Sequence, residues 1–410
     1  MGWTKLKLEK LIASKNDKSK QVNLSQYLTN GSFPIIDQSN NFIAGYCDDE
    51  KKVIKNNLPI IVFGDHTRHV KFINFPFVCG ADGTQLMVPN GEVDNKYFYY
   101  LIYNASFLIG NYGYDRHFKH LKEFISPFTD DKSEQTRIAQ ILSTADRAIA
   151  QTEALIAKYQ RIKTGLMQDL LTRGIDEHGR IRSKATHRFV VKNGIEVPEE
   201  WEVVELGNIE FFTLSTGGTP STEKKEYWEN GNIPWMTSGE IHKKEIYSTD
   251  NYINELGLRN SNARFYPVES IVIALAGQGK TRGTVALTKI KLTSNQSIAA
   301  IIPNREKIHS DFVYYYLSIK YENLRSISAG AGRAGLSLSI LSKFALPVPD
   351  LYEQRAISKI LSEVDKIINL EITNRNKLQS LKTALMQDLL SGRVRVKLPE
   401  TEHEKEQQNA

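Results

Sequence analysis

A glycine-rich loop in residues 271–287, IVIALAGQGKTRGTVAL, carries the side chains whose spacing most suggests chemistry. An apolar run leads into Gly279-Lys280-Thr281, as in the P-loop that binds nucleotide phosphates. A P-loop must open a helix, because the helix N-terminus holds the phosphates. The residues after Thr281, RGTVALTKIKL, are instead rich in β-branched side chains and contain a glycine. The sequence therefore predicts a β-hairpin here, and a P-loop-like NTPase stays as an alternative.

The tip of this hairpin carries polar side chains that suit a different ligand. Amide, ammonium, hydroxyl and guanidinium groups donate hydrogen bonds to phosphate oxygens and to base edges in DNA. The residues of this kind in the loop are Gln278, Lys280, Thr281 and Arg282.

Two histidine pairs have the spacing of possible metal ligands. His66 and His69 follow Asp65, and His117 and His120 form the second pair. The sequence offers no second shell for either pair, although metal-binding histidines need one. We therefore interpret them as polar surface or DNA-facing residues and expect no metal in this chain.

The composition is that of a soluble globular protein. Of 410 residues, 40% are hydrophobic and 24% charged, so two or three domains are expected. No apolar run approaches the roughly 18 residues of a membrane helix, so no membrane partner is expected. Two cysteines are too few for a disulfide scaffold and suit a cytoplasmic protein. A net charge of +6 mildly favours polyanionic partners.

One segment of the chain occurs twice. DKSEQTRIAQILSTADRAIA, from Asp131, aligns with DLYEQRAISKILSEVDKIIN, from Asp350. IKTGLMQDLLTRG, from Ile162, aligns with LKTALMQDLLSGR, from Leu381. Both pairs are 219 residues apart (350 − 131 and 381 − 162), so the alignment needs no gap. About half of the aligned positions are identical, which indicates an internal repeat.

Each copy predicts one long helix. Asp131 with Glu134, and Asp350 with Glu353, have the spacing of capping boxes in which the aspartate is the N-cap. Apolar residues then recur at three- and four-residue steps, which predicts one buried face. About forty residues at 1.5 Å each give a rod of roughly 60 Å, and such a rod needs a partner for its apolar face. The two copies are expected to pack antiparallel; two independent surface helices are the alternative.

The segments that precede the two helices begin alike. Trp3 is followed five residues later by Leu8, and Trp201 by Leu206. Residues 12–128 and 212–347 show no further convincing similarity. Both mix short β-branched and aromatic runs with helical stretches and turn residues, which predicts compact domains with mixed sheets.

The predicted fold class is therefore α/β, with two mixed-sheet domains separated and joined by two long antiparallel paired helices in a pseudo-twofold repeat. The predicted boundaries are 1–128 for the first domain, 129–174 for the first helix, 175–198 for a basic linker, 199–348 for the second domain, 349–393 for the second helix and 394–410 for a polar tail.

The repeat and several motifs together resemble the specificity (S) subunit of Type I restriction-modification systems, over essentially the whole chain. The duplicated helices share Glu-Gln near their starts and LMQDLL near their ends. Three further motifs resemble target recognition domains: FGDHT…FPF…GADGTQ in residues 63–85, GYDRHFK in residues 113–119 and GGTPST…YW…GNIPWMTSGEI in residues 217–241.

The resemblance implies a DNA-reading scaffold that is not itself an enzyme. Each target recognition domain would read one half of a bipartite site in double-stranded DNA. The helices would set the spacing of the halves and dock two methylation (M) subunits. Those subunits would use S-adenosylmethionine to methylate N6 of adenine, and a restriction (R) subunit would use ATP and Mg²⁺, so no cofactor is expected in this chain.

Polar residues in the loops of the two domains are the candidate DNA contacts, because their side chains suit phosphates and base edges. In the first domain they are Thr67, Arg68, His69, Lys71, Tyr114, Arg116, His117 and Lys119. In the second domain they are Thr219, Ser221, Thr222, Lys224, Gln278, Lys280, Thr281, Arg282, Arg333 and Ser337.

Two other functions are open at this point. An NTPase predicts ATP hydrolysis that depends on Lys280. A coiled-coil adaptor that binds only proteins predicts no preference for any DNA sequence.

Overall fold

The computed structural model of this chain describes residues 2–80, 82–111, 113, 116–277, 279–327 and 335–397. The chain divides into two compact units. The first unit comprises Met1–Ala154 with Glu371–Ala410, and the second comprises Leu155–Leu370. Two long helices, Lys132–Leu170 and Leu351–Leu389, therefore each contribute one part to each unit.

Within the first unit, the two long helices run antiparallel. Lys382 lies 2.6 Å from Asp146, and Arg395, just beyond the second helix, lies 2.5 Å from Glu134. Residue numbers therefore fall along one helix as they rise along the other. The predicted antiparallel pairing is confirmed.

The second unit contains the corresponding pair of helix segments. Lys163 lies 2.6 Å from Asp365. The predicted apolar face is buried in both units, and Leu142 and its counterpart Leu361 are both fully buried. Although each helix has 39 residues, no helix in the described ranges is both long enough and apolar enough to span a membrane.

The aspartates cap both helices as predicted. The Asp131 carboxylate accepts hydrogen bonds from the backbone amides of Ser133 (2.9 Å) and Glu134 (3.1 Å). The Asp350 carboxylate accepts one from the amide of Glu353 at 2.9 Å. Each cap therefore satisfies amides that have no partner inside the helix.

The other contact of each predicted capping box is wrong: the glutamate carboxylate does not accept a hydrogen bond from the backbone amide of the N-cap aspartate but binds other donors. Glu134 is buried and accepts a hydrogen bond from the indole nitrogen of Trp3 at 3.1 Å. Glu353 is buried and accepts the corresponding bond from Trp201 at 3.0 Å. An arginine also pairs with each carboxylate. The arginine pairs favour this arrangement, because a charge-assisted hydrogen bond is stronger than one from a neutral amide.

Among its described residues, the first unit contains ten strands and two short α-helices besides its parts of the long helices. They are β1 (Trp3–Lys7), β2 (Ile12–Ser14), β3 (Phe33–Ile36), β4 (Gly45–Cys47), β5 (Val53–Ile54), β6 (Ile60–Gly64), β7 (Val70–Ile73), β8 (Phe77–Cys79), β9 (Thr84–Pro89), α1 (Asn95–Leu108), α2 (His117–Glu123) and β10 (Ile125–Thr129), followed by the first long helix, α3 (Lys132–Leu170).

The second unit contains the remaining strands and helices of the described residues. They are β11 (Phe189–Lys192), β12 (Ile195–Pro198), β13 (Glu202–Glu205), β14 (Phe212–Thr216), β15 (Ile233–Met236), β16 (Glu245–Ile246), β17 (Asn251–Ile253), α4 (Glu255–Arg259), β18 (Ile271–Ala274), β19 (Val285–Thr288), β20 (Thr293–Ser294), β21 (Ile298–Pro303), α5 (Ser310–Ile319), α6 (Tyr321–Ile327), α7 (Leu338–Ser342), β22 (Ala345–Val348) and the second long helix, α8 (Leu351–Leu389).

The two units share a strand order that their sequences do not reveal. The first has a sheet of order β2-β9-β6-β7, and the second has β14-β21-β18-β19-β16. A smaller sheet, β4-β3-β8-β5, corresponds to β17-β15-β20, since β3 pairs parallel with β8 as β15 does with β20. A ladder of β1 with β10 likewise corresponds to β13 with β22. The internal repeat therefore extends through both mixed-sheet domains.

The duplicated glutamines attach each long helix to its domain. The Gln135 side chain accepts a hydrogen bond from the Asp94 amide, at the start of α1, at 2.8 Å. The Gln354 side chain accepts one from the His309 amide, at the start of α5, also at 2.8 Å. The Glu-Gln motif is thus structural: the glutamate holds a tryptophan and the glutamine holds a helix.

Candidate nucleic-acid interface

The predicted contact residues of the first unit meet at one end of the β2-β9-β6-β7 sheet. A turn of residues 65–69 joins β6 to β7. The backbone carbonyl of buried Asp65 accepts a hydrogen bond from the His117 amide at 3.0 Å, and its carboxylate accepts one from the Phe118 amide at 2.8 Å. The structure thereby joins the turn to the start of α2 and brings the two predicted clusters of this domain into one site.

Most of the predicted side chains of this site are accessible. The Thr67 hydroxyl donates to the Gln38 carbonyl at 2.5 Å, and the Arg68 guanidinium donates to the Ile109 carbonyl at 3.1 Å. Tyr114 lies outside the described residues. The exposed or half-buried members are Thr67, Arg68, His69, Arg116 and Lys119.

Two residues that the sequence placed among the contacts lie beneath the loops. Lys71 is only 6% exposed, and its ammonium donates to the carbonyls of Asp37 (2.8 Å) and Asn41 (2.5 Å). Burial lowers the pKa of Lys71. His117 is 1% exposed, and its Nδ1 lies 2.8 Å from the Asp65 carbonyl. Both side chains hold backbone in place, because a buried polar group is stable only with such partners.

The loop that resembles a P-loop is a hairpin connection in the second unit. β18 ends at Ala274, β19 begins at Val285, and the two strands pair antiparallel. Thr281 is therefore followed by a strand, and the helix that would hold phosphates in a P-loop is not formed by the described residues of this segment. Lys280 is exposed, while Thr281 and Arg282 are half-buried. Gln278 lies outside the described residues.

Other predicted residues of the second unit lie at the same end of its sheet. The Thr219 hydroxyl, just beyond β14, donates to the Gln296 side chain at 2.6 Å, just before β21. The Leu336 amide donates to the Leu275 carbonyl at 2.9 Å and places exposed Ser337 beside the hairpin loop. Thr219 and Ser337 thus join the loop residues in one site.

The remaining predicted residues of this unit have other surroundings. Ser221, Thr222 and Lys224 are exposed on the segment that follows Thr219. The Lys224 ammonium donates to the Tyr227 hydroxyl at 3.1 Å, and this hydrogen bond raises the pKa of Lys224. No hydrogen bond among the described residues joins these three side chains to the hairpin loop. Arg333 lies outside the described ranges.

Sequence reasoning missed two side chains at this end of the sheet. The exposed His242 ring lies with Nε2 3.3 Å from the Thr281 hydroxyl, and Gln296 binds Thr219. His242 belongs to a 3₁₀ helix, Ser238–Lys243, and lies 39 residues before Thr281 in the chain. Only the GNIPWMTSGEI motif, which ends one residue before His242, could have drawn attention to this segment.

The two sites are built on the same backbone frame. The Asp65 amide donates to the Gly83 carbonyl at 2.7 Å, just before β9. The Leu275 amide donates to the Ser297 carbonyl at 2.8 Å, just before β21. The Asp65 carbonyl also accepts a backbone hydrogen bond from the start of α2, and the Leu275 carbonyl accepts one from the segment that leads into α7. Equivalent loops therefore carry unrelated side chains in the two units.

The histidine pairs do not form part of a recognisable metal centre. In the part of the chain that the structure describes, no three His, Cys, Asp or Glu side chains are grouped so that they could hold a metal ion.

Each unit also has a cleft where its domain meets the paired helices. The first cleft has a volume of about 860 Å³ and the second about 390 Å³. Corresponding residues line both, and all pairs except Tyr103/Ser318 are identical: Tyr99/Tyr314, Asp146/Asp365, Ile149/Ile368, Gln379/Gln160, Lys382/Lys163, Thr383/Thr164 and Met386/Met167.

A tyrosine on the short helix completes the ion pair beside each cleft. The Tyr100 hydroxyl donates to Asp146 at 2.6 Å, and the Tyr315 hydroxyl donates to Asp365 at 3.0 Å. Burial, reinforced by the neighbouring carboxylate, raises the pKa of both phenols, so each is a donor at neutral pH. The rims differ: Phe107, Leu108 and Phe124 border the first cleft, and Lys244, Gly283 and Thr284 border the second.

The two units thus share one backbone frame and carry different loops. A family model described as "Type I restriction modification DNA specificity domain" matches residues 1–161 and 198–382. The chain belongs to this family of Type I restriction-modification specificity subunits, whose role is DNA sequence specificity.

Several named proteins are similar to this chain. A putative type I restriction enzyme MjaX specificity subunit of Methanocaldococcus jannaschii is 30% identical over 279 residues, which are 68% of this chain and 60% of that relative. The EcoR124I/EcoR124II specificity subunit of Escherichia coli is 24% identical over 367 residues, 85% of this chain and 83% of the relative. The crystal structure of the S subunit from M. genitalium shares the fold, with a TM-score of 0.62 at 18% identity over 98% of this chain and 97% of that one.

Proposed function

We propose that this chain is a non-catalytic specificity subunit in which each unit reads one half of a bipartite site in double-stranded DNA. The observation that carries this proposal is the shared backbone frame of the two sites with unrelated loop sequences. One frame with two sets of side chains suits two different half-sites, because base sequence is read by the side chains that reach base edges. The long helices, which contribute to both units, would then set the spacing between half-sites.

Two methylation subunits are the partners that we assign to the clefts. The two copies of the repeat have diverged at about half of their positions, yet the cleft residues are almost all retained. Identical surfaces in both units favour two copies of one partner, since each copy would meet the same side chains.

Packing within the chain does not account for all of these identities. Gln160 and Thr164 are exposed, as are their counterparts Gln379 and Thr383. An exposed position of the same helix outside the clefts has diverged, since Thr144 corresponds to glutamate in the second copy. Retention of exposed side chains at both clefts supports contact with a partner.

The catalytic chemistry belongs to the partners in this proposal. S-adenosylmethionine would be bound by the methylation subunits, and ATP and Mg²⁺ by a restriction subunit where one is present. In the described part of the chain, a strand rather than the helix of a P-loop follows Thr281, and no three His, Cys, Asp or Glu side chains are grouped so that they could hold a metal ion.

Exchange of one reading domain tests the bipartite proposal. Residues 12–128 are replaced by the corresponding domain of another specificity subunit, and the methylated adenines are mapped by sequencing. We expect one half of the recognised site to change while the other half and the spacing are kept. A change in both halves, or a site that has no two-part form in the parent protein, would contradict the proposal.

Arginine substitutions test the docking of two subunits. Thr164→Arg and Thr383→Arg each place a bulky cation in one cleft, so each variant should bind one methylation subunit where the parent binds two. The double variant should bind none. Stoichiometry is measured by native mass spectrometry of the assembled complex.

Thr144→Arg is the matched control, because this threonine is also exposed on the first long helix but does not line either cleft. It should leave two methylation subunits bound. Full occupancy in the double variant at Thr164 and Thr383 would rule out the clefts as the docking sites.

A further inference from the structure

We propose that residues 37–44 and 237–244, which follow the corresponding strands β3 and β15, are a second sequence-reading element in each unit. This inference rests on the proposed function and extends it to two segments that contain none of the predicted DNA contacts. The two segments have unrelated sequences, but each lies against the hairpin loop of its own unit.

In the first unit, Gln38 ties this segment to the hairpin turn. Its carbonyl accepts a hydrogen bond from the Thr67 hydroxyl at 2.5 Å, and its side-chain oxygen accepts one from the His66 amide at 3.2 Å. Its side-chain nitrogen donates to the Asp82 carbonyl at 2.9 Å. One residue therefore joins the segment to the turn between β6 and β7 and to the approach to β9.

The buried ammonium of Lys71 fixes the shape of the same segment. It donates to the carbonyls of both Asp37 (2.8 Å) and Asn41 (2.5 Å). A buried ammonium is costly unless it is hydrogen-bonded. The Lys71 ammonium obtains its hydrogen bonds from carbonyls of residues 37–44 and so fixes the backbone of this exposed loop. Pre-ordering of this kind is what a reading loop needs, because it avoids an entropic cost on binding.

The segment that Lys71 holds has exposed side chains that suit a base edge. Asn40 and Asn41 are exposed, and within the described residues neither side-chain amide has a hydrogen-bonding partner. An asparagine amide pairs in bidentate fashion with the N6 and N7 edge of adenine in the major groove. The first unit therefore offers amide readout beside its hairpin turn.

The second unit holds its segment by a different buried group. The carboxylate of buried Glu240 accepts hydrogen bonds from the amides of Thr237 and Asp250, both at 2.9 Å, and from the Lys243 ammonium at 3.1 Å. This arrangement leaves His242 exposed, with Nε2 3.3 Å from the Thr281 hydroxyl of the hairpin loop. An imidazole in this position offers either a donor or an acceptor to a base.

The correspondence between the units is the strongest support for the inference. Each segment follows the strand that pairs parallel with β8 or β20, contacts the hairpin loop and is held by a buried ionisable side chain. The supporting residues and the exposed residues nevertheless differ. A shared position with different side chains is the pattern expected of elements that read different half-sites.

The experiment uses the whole specificity subunit assembled with its methylation subunits. The complex methylates a DNA library in the presence of S-adenosylmethionine, and the modified adenines are mapped by sequencing. We expect Asn40→Ala with Asn41→Ala to reduce discrimination roughly 5- to 100-fold at one or two base pairs of one half-site. His242→Ala should do the same in the other half-site only.

Matched controls separate reading from folding. Asn30→Ala removes an exposed asparagine at the opposite end of β3, and His178→Ala removes an exposed histidine of the linker. Both should keep the parental site. Thermal unfolding of every variant should match the parent, since all the substituted side chains are exposed.

The outcomes distinguish this inference from the proposed function. A parent complex without a two-part site would contradict the proposed function itself. A parent with a two-part site, whose discrimination is unchanged in both the asparagine and the histidine variants, would overturn only the reading role of these segments.

Discussion

The ammonium of Lys163 lies 2.6 Å from the carboxylate of Asp365 and joins the second half of one long helix to the first half of the other. Lys382 and Asp146 form the corresponding bridge in the first unit, also at 2.6 Å. Each copy of the repeat thus carries an aspartate early and a lysine late. When the two copies run antiparallel, the aspartate of each copy meets the lysine of the other and both ion pairs form. Duplication of one helix sequence therefore yields two helices that are complementary to each other.

Loss of one charge should destabilise the helix pair, and exchange of both should restore it. We expect Asp365→Asn to lower the free energy of unfolding by about 1 kcal/mol, because both partners of this bridge are mostly buried. The variant with Lys163→Asp and Asp365→Lys should recover most of the loss. Urea unfolding of the three proteins measures the coupling, and Glu363→Gln, in the exposed pair with Lys366, is the control with little expected effect.

Gly174→Ala should destabilise the second unit. Gly174 has a φ of +65°, and a Cβ there would overlap the side chains of Trp201 and Glu353. Backbone strain and overpacking together predict a loss of about 3 kcal/mol. Tryptophan fluorescence during urea unfolding follows the change, since Trp201 lies at the site of the overlap.

Gly165→Ala is expected to have the opposite effect. Gly165 lies inside the first long helix, a Cβ there would meet no atom within 4 Å, and the second copy already has Ala384 at this position. Alanine is the better helix former, so the unfolding free energy should rise by about 1 kcal/mol. A loss of stability would contradict the open space around Gly165.

The thiol of Cys79 should be unreactive in the folded protein. Burial raises the pKa of this thiol from 9.0 to about 12, so the reactive thiolate is scarce at pH 8. Iodoacetamide should label Cys79 slowly in buffer and rapidly in urea, as resolved by peptide mass spectrometry. Fast labelling of the folded protein would contradict the buried position.

The same thiol should contribute to the pH dependence of stability. Because its folded pKa lies above the unfolded value of 9.0, its contribution is complete below pH 9 and is lost as pH rises toward 12. The free energy of unfolding should therefore fall more steeply between pH 8.5 and about 10.5 in the parent than in Cys79→Ala. Equal slopes would contradict the raised pKa.

Lengthening both long helices should change the spacing of the proposed half-sites. Seven residues inserted after Ala154 and seven after Leu370 add about 10 Å to each helix and nearly preserve its face. We expect the gap between half-sites to grow by roughly three base pairs, at about 3.4 Å each, with both half-site sequences unchanged. Mapping of methylated adenines measures the gap, and an unchanged gap would argue against the helices as the spacer.

Local rules predicted the elements whose cause lies within a short stretch of chain. Asp131 and Asp350 cap their helices because their carboxylates reach amides two or three residues away. The residues after Thr281 form a strand because they are β-branched. The same local rules predicted the wrong partners for Glu134 and Glu353, since their partners Trp3 and Trp201 lie far away in sequence.

The sequence predicted the types of side chain at the candidate site, but it did not predict which residues are exposed there. Lys71 and His117 have the side chains of DNA contacts, and only the fold reveals that they are buried beneath loops. His242 carries no motif of its own, and it enters the site because β16 and β19 bring its segment beside Thr281. Side-chain type states what a residue can bind, while burial decides whether it is available to do so.

The sequence by itself determined the duplicated helices, their antiparallel pairing and the family, because a gap-free repeat with one apolar face leaves few ways to bury that face. Only the tertiary structure decided that the two mixed-sheet domains share one frame. Strand order depends on pairings between distant segments, and many different side chains are compatible with the same hydrogen-bonded ladder. The two domains could therefore lose their sequence similarity while retaining their backbone arrangement.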